Sequence, residues 1–167
     1  MTFRLYVMRH GDALMRASRD SLRPLSQLGH DQAIDTAKHL HSHLCPTPDN
    51  GAGNAIGLVL ASPYLRAQET TRHVVEGVGY TSDVVTCDKI TPNDAPDSVI
   101  KLLSDYESYG SVLMVSHQPL ASALIGRLVS GHYHEGPPMG TASIVCLDMP
   151  TAGIGMAELK WIKHSEI

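Results

Sequence analysis

The sequence predicts an α/β fold in minimal form, a mostly parallel central sheet flanked by helices on both sides. Two observations lead there. Short apolar runs suited to buried strands alternate with segments of helical period along almost the whole chain. Several of those runs also stop abruptly on clusters of Arg, His and Ser, as strands do when they feed loops at one edge of a sheet. With 167 residues, 43% of them hydrophobic and 18% charged, the chain suits a single domain spanning 1–167 with a sizeable core.

The elements follow in order. Residues 3–8 read as a strand buried on both faces, ending at Arg9-His10-Gly11-Asp12. The stretch to Arg23-Pro24 is polar loop. Ala33, Ile34, Ala37, Leu40 and Leu44 then recur at helical spacing, with Ser26 as the expected N-cap. Residues 45–57 hold Pro, Gly and Asn and read as a surface loop. Residues 58–61 form the next buried strand. Ser62-Pro63 reads as the start of a helix running to about Val75, Ser62 capping and Pro63 in the first turn. A short strand is expected at 84–87, a helix at 97–106, a strand at 112–115 and a helix at 119–129. Two closing strands, at 143–147 and 156–161, suit a hairpin.

Composition narrows the function classes. The net charge is −4 with His neutral, and no run of Lys and Arg forms a basic tail, so nucleic acid is not an expected partner. Cys45, Cys87 and Cys146 are scattered, with no Cys-x-x-Cys, which argues against a disulfide framework and fits a reducing compartment. The N-terminal stretch becomes charged too soon for a signal peptide, and no segment has the apolar length of a membrane span. A cytoplasmic location with no membrane association is the expectation.

Three polar clusters sit in equivalent places. Arg9-His10-Gly11 follows the first strand, Ser62-Pro63-Tyr64-Leu65-Arg66-Ala67 the second, and Ser116-His117-Gln118-Pro119-Leu120 the strand at 112–115. In open α/β sheets ligands bind beyond the carboxyl ends of the strands, so three segments deliver two Arg and two His to one edge. These residue types fit phosphoryl transfer. Arginine offers a planar fork of donors matched to phosphate oxygens, and two arginines neutralise a transferring group. A neutral histidine can attack phosphorus through one ring nitrogen if the other is held by an acceptor, often a backbone carbonyl. Gly11 would let backbone approach closely there.

These residues resemble the histidine phosphatase superfamily, the relatives of cofactor-dependent phosphoglycerate mutase. The resemblance rests on Arg9-His10-Gly11, Pro24-Leu25-Ser26-Gln27-Leu28-Gly29, Ser62-Pro63-x-x-Arg66-Ala67-x-x-Thr70 and Ser116-His117, and spans residues 9 to about 120. Within it the chain is similar to the small SixA-type phosphohistidine phosphatases, through Met8-Arg-His-Gly-Asp-Ala13, Asp20-Ser21-x-Arg23-Pro24-Leu25, Thr91-Pro92 and Ser116-His-x-Pro-Leu120. The resemblance implies a phosphoglycerate mutase-like sheet and His10 as the phosphorylated nucleophile. Arg9, Arg66 and His117 would surround the phosphate, and Arg23 would extend the site. It also implies a phosphohistidine-bearing protein, of a phosphorelay or phosphotransfer system, as a transient partner. No cofactor or metal is required. A monomer is the default, oligomeric state being open.

The general acid is left open. Many superfamily members place a Glu after the third strand, but residues 87–94 contain none, leaving Asp88, Asp94 and Asp20 as candidates. An imidazole leaving group departs more easily than an alkoxide and demands less of such an acid. Other readings compete: a small-molecule phosphomonoesterase of the same superfamily, a domain that binds phosphoproteins without hydrolysing them, and a metal site built on His39 and His43, four apart on the first helix.

Overall fold

A computed structural model describes residues 1–45 and 55–167. Six strands form one mixed sheet: β1 (Phe3–Arg9), β2 (Leu58–Ala61), β3 (Val84–Thr86), β4 (Ser111–Ser116), β5 (Ile144–Met149) and β6 (Glu158–Lys163). Their spatial order is β3-β2-β4-β1-β5-β6. The first four run parallel, while β5 pairs antiparallel with β1 and β6 with β5. The expected closing hairpin is present, with a bulge between Cys146 and Leu147. The Pro/Gly stretch read as a loop lies mostly outside the described residues.

Four helices cover the sheet: α1 (Gln27–Leu44), α2 (Leu65–Val78), α3 (Pro96–Ser104) and α4 (Leu120–Val129). Strand alternation divides the core between two faces. Tyr6 and Met8 of β1 pack with Ala37 and Leu40 of α1 and with Ala67 and Val74 of α2. Leu5 and Val7 point the other way, towards Val99 and Leu103 of α3 and Leu120 and Leu124 of α4. β1 and β4, covered on both sides, are apolar almost throughout for that reason.

Ser26 caps α1 as expected, its hydroxyl accepting from the Gly29 N–H at 3.0 Å. The helix face differs in one respect. Ile34 is 40% exposed, while Gln32 and Thr36 are buried. Their polar groups bind backbone outside the helix. Gln32 Oε1 accepts from the Asp12 N–H at 2.8 Å, and the Thr36 hydroxyl donates to the Ala142 carbonyl at 2.8 Å. Both anchors fall beside the end of β1, so α1 holds the loops around that strand end as well as covering the core.

Ser62 corrects an expectation. α2 starts at Leu65, with Tyr64 at its N-cap and no side-chain cap bond. The Ser62 hydroxyl is committed to His117 instead, at 2.7 Å. Pro63 precedes the helix rather than lying in its first turn.

Register fixes the relation between the three polar clusters. Arg9 is opposite Ser116 across the β1–β4 pair, and Ala61 is opposite Val115 across β2–β4. The His10 N–H donates to the Ser116 carbonyl, and the Ser62 N–H to the Val115 carbonyl. His10, Ser62 and His117 are therefore each the first residue beyond its strand, side by side on one edge.

Candidate active site

His10 is buried, 7% exposed, and its Nδ1 lies 2.7 Å from the Gly11 carbonyl oxygen. A carbonyl only accepts, so Nδ1 carries the proton and Nε2 the lone pair. The Arg66 Nε–H donates to that Nε2 at 3.2 Å, which agrees with the same tautomer. Burial, followed by the charges of Arg66, Arg9 and Arg23, pushes the His10 imidazolium pKa down to about 4, against the bond to Gly11, which acts the other way. His10 is thus a neutral imidazole with Nδ1 clamped as donor and a lone pair at Nε2 that Arg66 holds, the protonation state a histidine nucleophile needs.

Gly11 makes the turn possible. A Cβ there would sit 2.5 Å from the Gly29 carbonyl oxygen at the start of α1. The Gly11 N–H donates to the Thr70 hydroxyl at 3.0 Å, and that hydroxyl donates to the Arg66 carbonyl at 2.8 Å. The loop carrying His10 is so tied to both α1 and α2. Gly11→Ala is expected to destabilise the fold by about 1–3 kcal/mol, the usual range for overpacking against fixed backbone. Thermal unfolding of the variant measures it, and an unchanged midpoint would contradict the close approach.

Arg66 projects from the first turn of α2 and is 4% exposed. Besides His10, it donates through Nη1 to the Asp20 carbonyl at 2.7 Å and through Nη2 to Asp20 Oδ2 at 3.1 Å. Arg23 donates to Asp20 Oδ1 at 3.1 Å and to the Leu14 carbonyl at 2.8 Å. Asp20 thus bridges the two guanidinium groups. Its bonds to Arg23 and then to Arg66 hold its carboxyl below the usual range. It is ionised at neutral pH, the wrong state for donating a proton, and its position suits orienting Arg66. Asp94 is engaged differently: its Oδ2 accepts from the N–H and hydroxyl of Thr91 and closes the 91–94 turn.

His117 is 1% exposed. Its ring centroid is 5.0 Å from that of His10 and 4.8 Å from that of Tyr64. Burial, then the neighbouring His10 and Arg66, pushes its pKa down to about 3. The Ser62 hydroxyl already accepts from the Tyr64 N–H, at 3.3 Å, leaving its own proton for His117 Nε2. When Ser62 donates in that bond, the ring proton of His117 sits on Nδ1. Nδ1 of His117 and Nε of Arg9 are buried with no hydrogen-bond partner among the described residues. Two unpaired buried donors cost about 1–3 kcal/mol each, a cost that an anion accepting from both would offset. The other end of Arg9 is held, Nη1 donating to the Met139 carbonyl at 2.9 Å.

The structure therefore brings Arg9, His10, Arg66 and His117 to one edge and joins Asp20 and Arg23 to them, while the Asp94 carboxylate is engaged by Thr91. Such an arrangement of a buried guanidinium group, a half-buried one and two neutral imidazoles can bind a phosphoryl group and accept it on nitrogen. A search against family models finds no match. Individual proteins do match. The phosphohistidine phosphatase SixA of Escherichia coli K12 is 35% identical over 147 residues, covering 84% of this chain and 81% of its own. The chain belongs to the SixA phosphohistidine phosphatase family. The SixA homolog of Haemophilus influenzae is 34% identical over 128 residues, 74% of this chain and 76% of its own. A solved SixA, a protein histidine phosphatase complexed with tungstate, superposes with a TM-score of 0.83 at 29% identity over 96% of both chains.

Against that SixA fold, two contributors to the edge escaped sequence reasoning. Ser62 was assigned to a cap, although its place one residue past β2 matches those of His10 past β1 and His117 past β4. Met139 contributes through its carbonyl, which leaves no signature in residue type. The paired histidines of α1 also take a definite place. His39 and His43 bring their Nε2 atoms within 3.1 Å, and both pack on Trp161. Among the described residues no group of three metal-ligating side chains forms there or elsewhere.

Proposed function

We propose that the protein is a phosphohistidine phosphatase in which His10 takes the phosphoryl group and passes it to water. The observation that carries the reading is the His10 ring, locked by Gly11 at Nδ1 and presenting a lone pair at Nε2 towards Arg66. Membership of the SixA family supports the substrate class, and tungstate in a relative is a tetrahedral oxyanion of the shape of phosphate. Among the described residues no helix is long and apolar enough to cross a membrane. The setting we propose is cytoplasmic signalling, with a phosphorylated protein as transient partner.

Phosphate docks on Arg9, Arg66 and the Nδ1–H of His117. Arg66 shifts its Nε–H from His10 to a phosphate oxygen, which frees the Nε2 lone pair. Nε2 attacks phosphorus in line, the phosphorus–nitrogen bond of the substrate breaks, and the substrate ring, already protonated on its other nitrogen, leaves as a neutral imidazole. Water then attacks the phosphorylated His10, releasing inorganic phosphate and restoring the neutral ring. The protein contributes position and charge neutralisation, with no metal assigned a step. Asp20 orients Arg66 through this cycle. No strong general acid is needed, because an imidazole is a good leaving group.

The test compares a phosphohistidine protein, an aryl phosphate and an alkyl sugar phosphate. Phosphohistidine is expected to be turned over fastest and the alkyl ester slowest by at least about a hundredfold, as an acid-assisted step is missing. Equal rates on the alkyl ester would favour a small-molecule phosphatase and overturn the reading.

The two neutral histidines also set a pH dependence. Unfolded, each imidazole titrates near 6.5; folded, His10 does so at about 4 and His117 at about 3. Between these values the unfolded chain binds protons that the folded chain refuses. Stability from this source is fully present above pH 6.5 and is lost as the pH falls towards 4. The His10 shift alone corresponds to a loss on the order of 3 kcal/mol across that window. Calorimetry should find the unfolding midpoint falling from pH 7 to pH 4.5, with a shallower fall in His10→Asn. Equal slopes would place the acid sensitivity elsewhere.

A further inference from the structure

The segment between β1 and α1 has a feature that catalysis does not use. Leu14, Met15 and Leu22 are 48%, 82% and 48% exposed, a dense set of large apolar side chains for one loop. Arg16 and Arg19 stand exposed among them and form no ion pair among the described residues. Residues 9–23 contain four arginines against two aspartates, in a chain whose net charge is −4. The basic charge is thus concentrated on this loop, against the sign of the whole.

The loop is held in shape. Ala13 bridges to Leu25, the Leu14 N–H donates to the Pro24 carbonyl, and the Arg23 Nε–H donates to the Leu14 carbonyl. A hollow of about 300 Å³ is lined by Met15, Ala17, Arg19, Asp20 and Arg23. From there Arg23, Asp20 and Arg66 lead by successive hydrogen bonds to His10. His10 itself is only 7% exposed, so a phosphohistidine on a protein that reaches it brings the residues beside it against the edge of the site.

Resting on the phosphohistidine phosphatase reading, we propose that this loop is the docking surface for the phosphorylated partner, which presents apolar and acidic side chains beside its phosphohistidine. Met15, Leu14 and Leu22 take the apolar part, and Arg16 and Arg19 the acidic part. An apolar patch with a rim of one sign fits a protein surface of the opposite sign, which raises the encounter rate and sets the orientation. A nucleic acid would use the arginines but leave the Leu and Met side chains in water.

Two synthetic phosphohistidine peptides, alike except for Leu/Glu or Leu/Lys flanks, test this together with free phosphohistidine. The Leu/Glu peptide is expected to have a kcat/KM about tenfold higher, a preference that shrinks in about 0.5 M salt. The double variant Arg16→Glu/Arg19→Glu should erase or invert the preference while hydrolysing free phosphohistidine at the unmodified rate. Met15→Asp should lower kcat/KM for both peptides. Binding of the unphosphorylated peptides, read by fluorescence anisotropy, should follow the same order whatever the chemistry. Equal rates and equal binding for the two peptides, or a preference that survives charge reversal, would overturn the docking surface. So would self-association, or binding to phosphatidylglycerol vesicles, that Met15→Asp removes, since a second copy or a lipid surface would then occupy the patch. Failure to hydrolyse free phosphohistidine would instead sink the catalytic reading, and the anisotropy result would still decide the docking.

Discussion

His10→Ala is expected to reduce turnover by at least about 10⁴-fold, to the level that the remaining arginines achieve by binding alone. No other side chain in the site presents a nitrogen lone pair to the same position. His117 lies closest, with its ring centroid 5.0 Å away, but its Nε2 is occupied by Ser62 and its Nδ1 carries the proton. The fold should survive, because the ring makes two buried hydrogen bonds, one to the adjacent Gly11 carbonyl and one from the Arg66 Nε–H, and Arg66 keeps both of its contacts to Asp20. Circular dichroism and thermal unfolding check that point separately from activity. A single-turnover trap with labelled substrate adds a second readout. The unmodified protein should carry phosphate in a linkage labile to acid and stable to alkali, as a phosphorus–nitrogen bond is, and the variant should carry none. Label retained by His10→Ala would move the nucleophile to another residue.

Arg66→Lys is expected to lower kcat/KM by about 10²–10³-fold, the range found when one donor to a developing anion is lost. The charge is kept, so the loss measures geometry. Arg66 sends donors in three directions, to His10 Nε2, to the Asp20 carbonyl and to the Asp20 carboxylate. An ammonium group on a flexible stem can replace one of these contacts but cannot hold the planar fork. Asp20 would then be restrained only by Arg23, an ion pair with its carboxylate more than half exposed and correspondingly weak. Asp20→Asn should show a smaller loss than Arg66→Lys, since it removes an orienting partner rather than a phosphate donor. A rate for Arg66→Lys close to that of the unmodified protein would place the phosphate away from Arg66. A loss in Asp20→Asn equal to that in Arg66→Lys would restore a direct chemical role for Asp20.

How far the chain could be read without coordinates depended on the range of the interactions involved. β1 and β4 announce themselves as apolar runs because both faces of each are covered, and burial is recorded in residue type. The hydroxyl at Ser26 and the period of Ala33, Ala37 and Leu40 mark α1 in the same local way. The order of the polar clusters, each directly after a strand, was enough to gather Arg9, His10, Arg66 and His117, because parallel strands in one sheet bring their carboxyl ends together. Contacts between distant segments were not legible. A hydroxyl that caps a helix and one that holds a histidine 55 residues away are the same group in a sequence, so Ser62 was assigned to the nearer partner. Asp20 and Asp94 were equally plausible acids as letters. Folding separates them, since one carboxylate lies between two guanidinium groups and the other closes its own turn. Residue type and spacing carry the elements and the chemistry available to them. Which donor meets which acceptor, and therefore which protons are held and which lone pair is free, follows from strand register and helix docking, where residues far apart in the chain come within hydrogen-bonding distance.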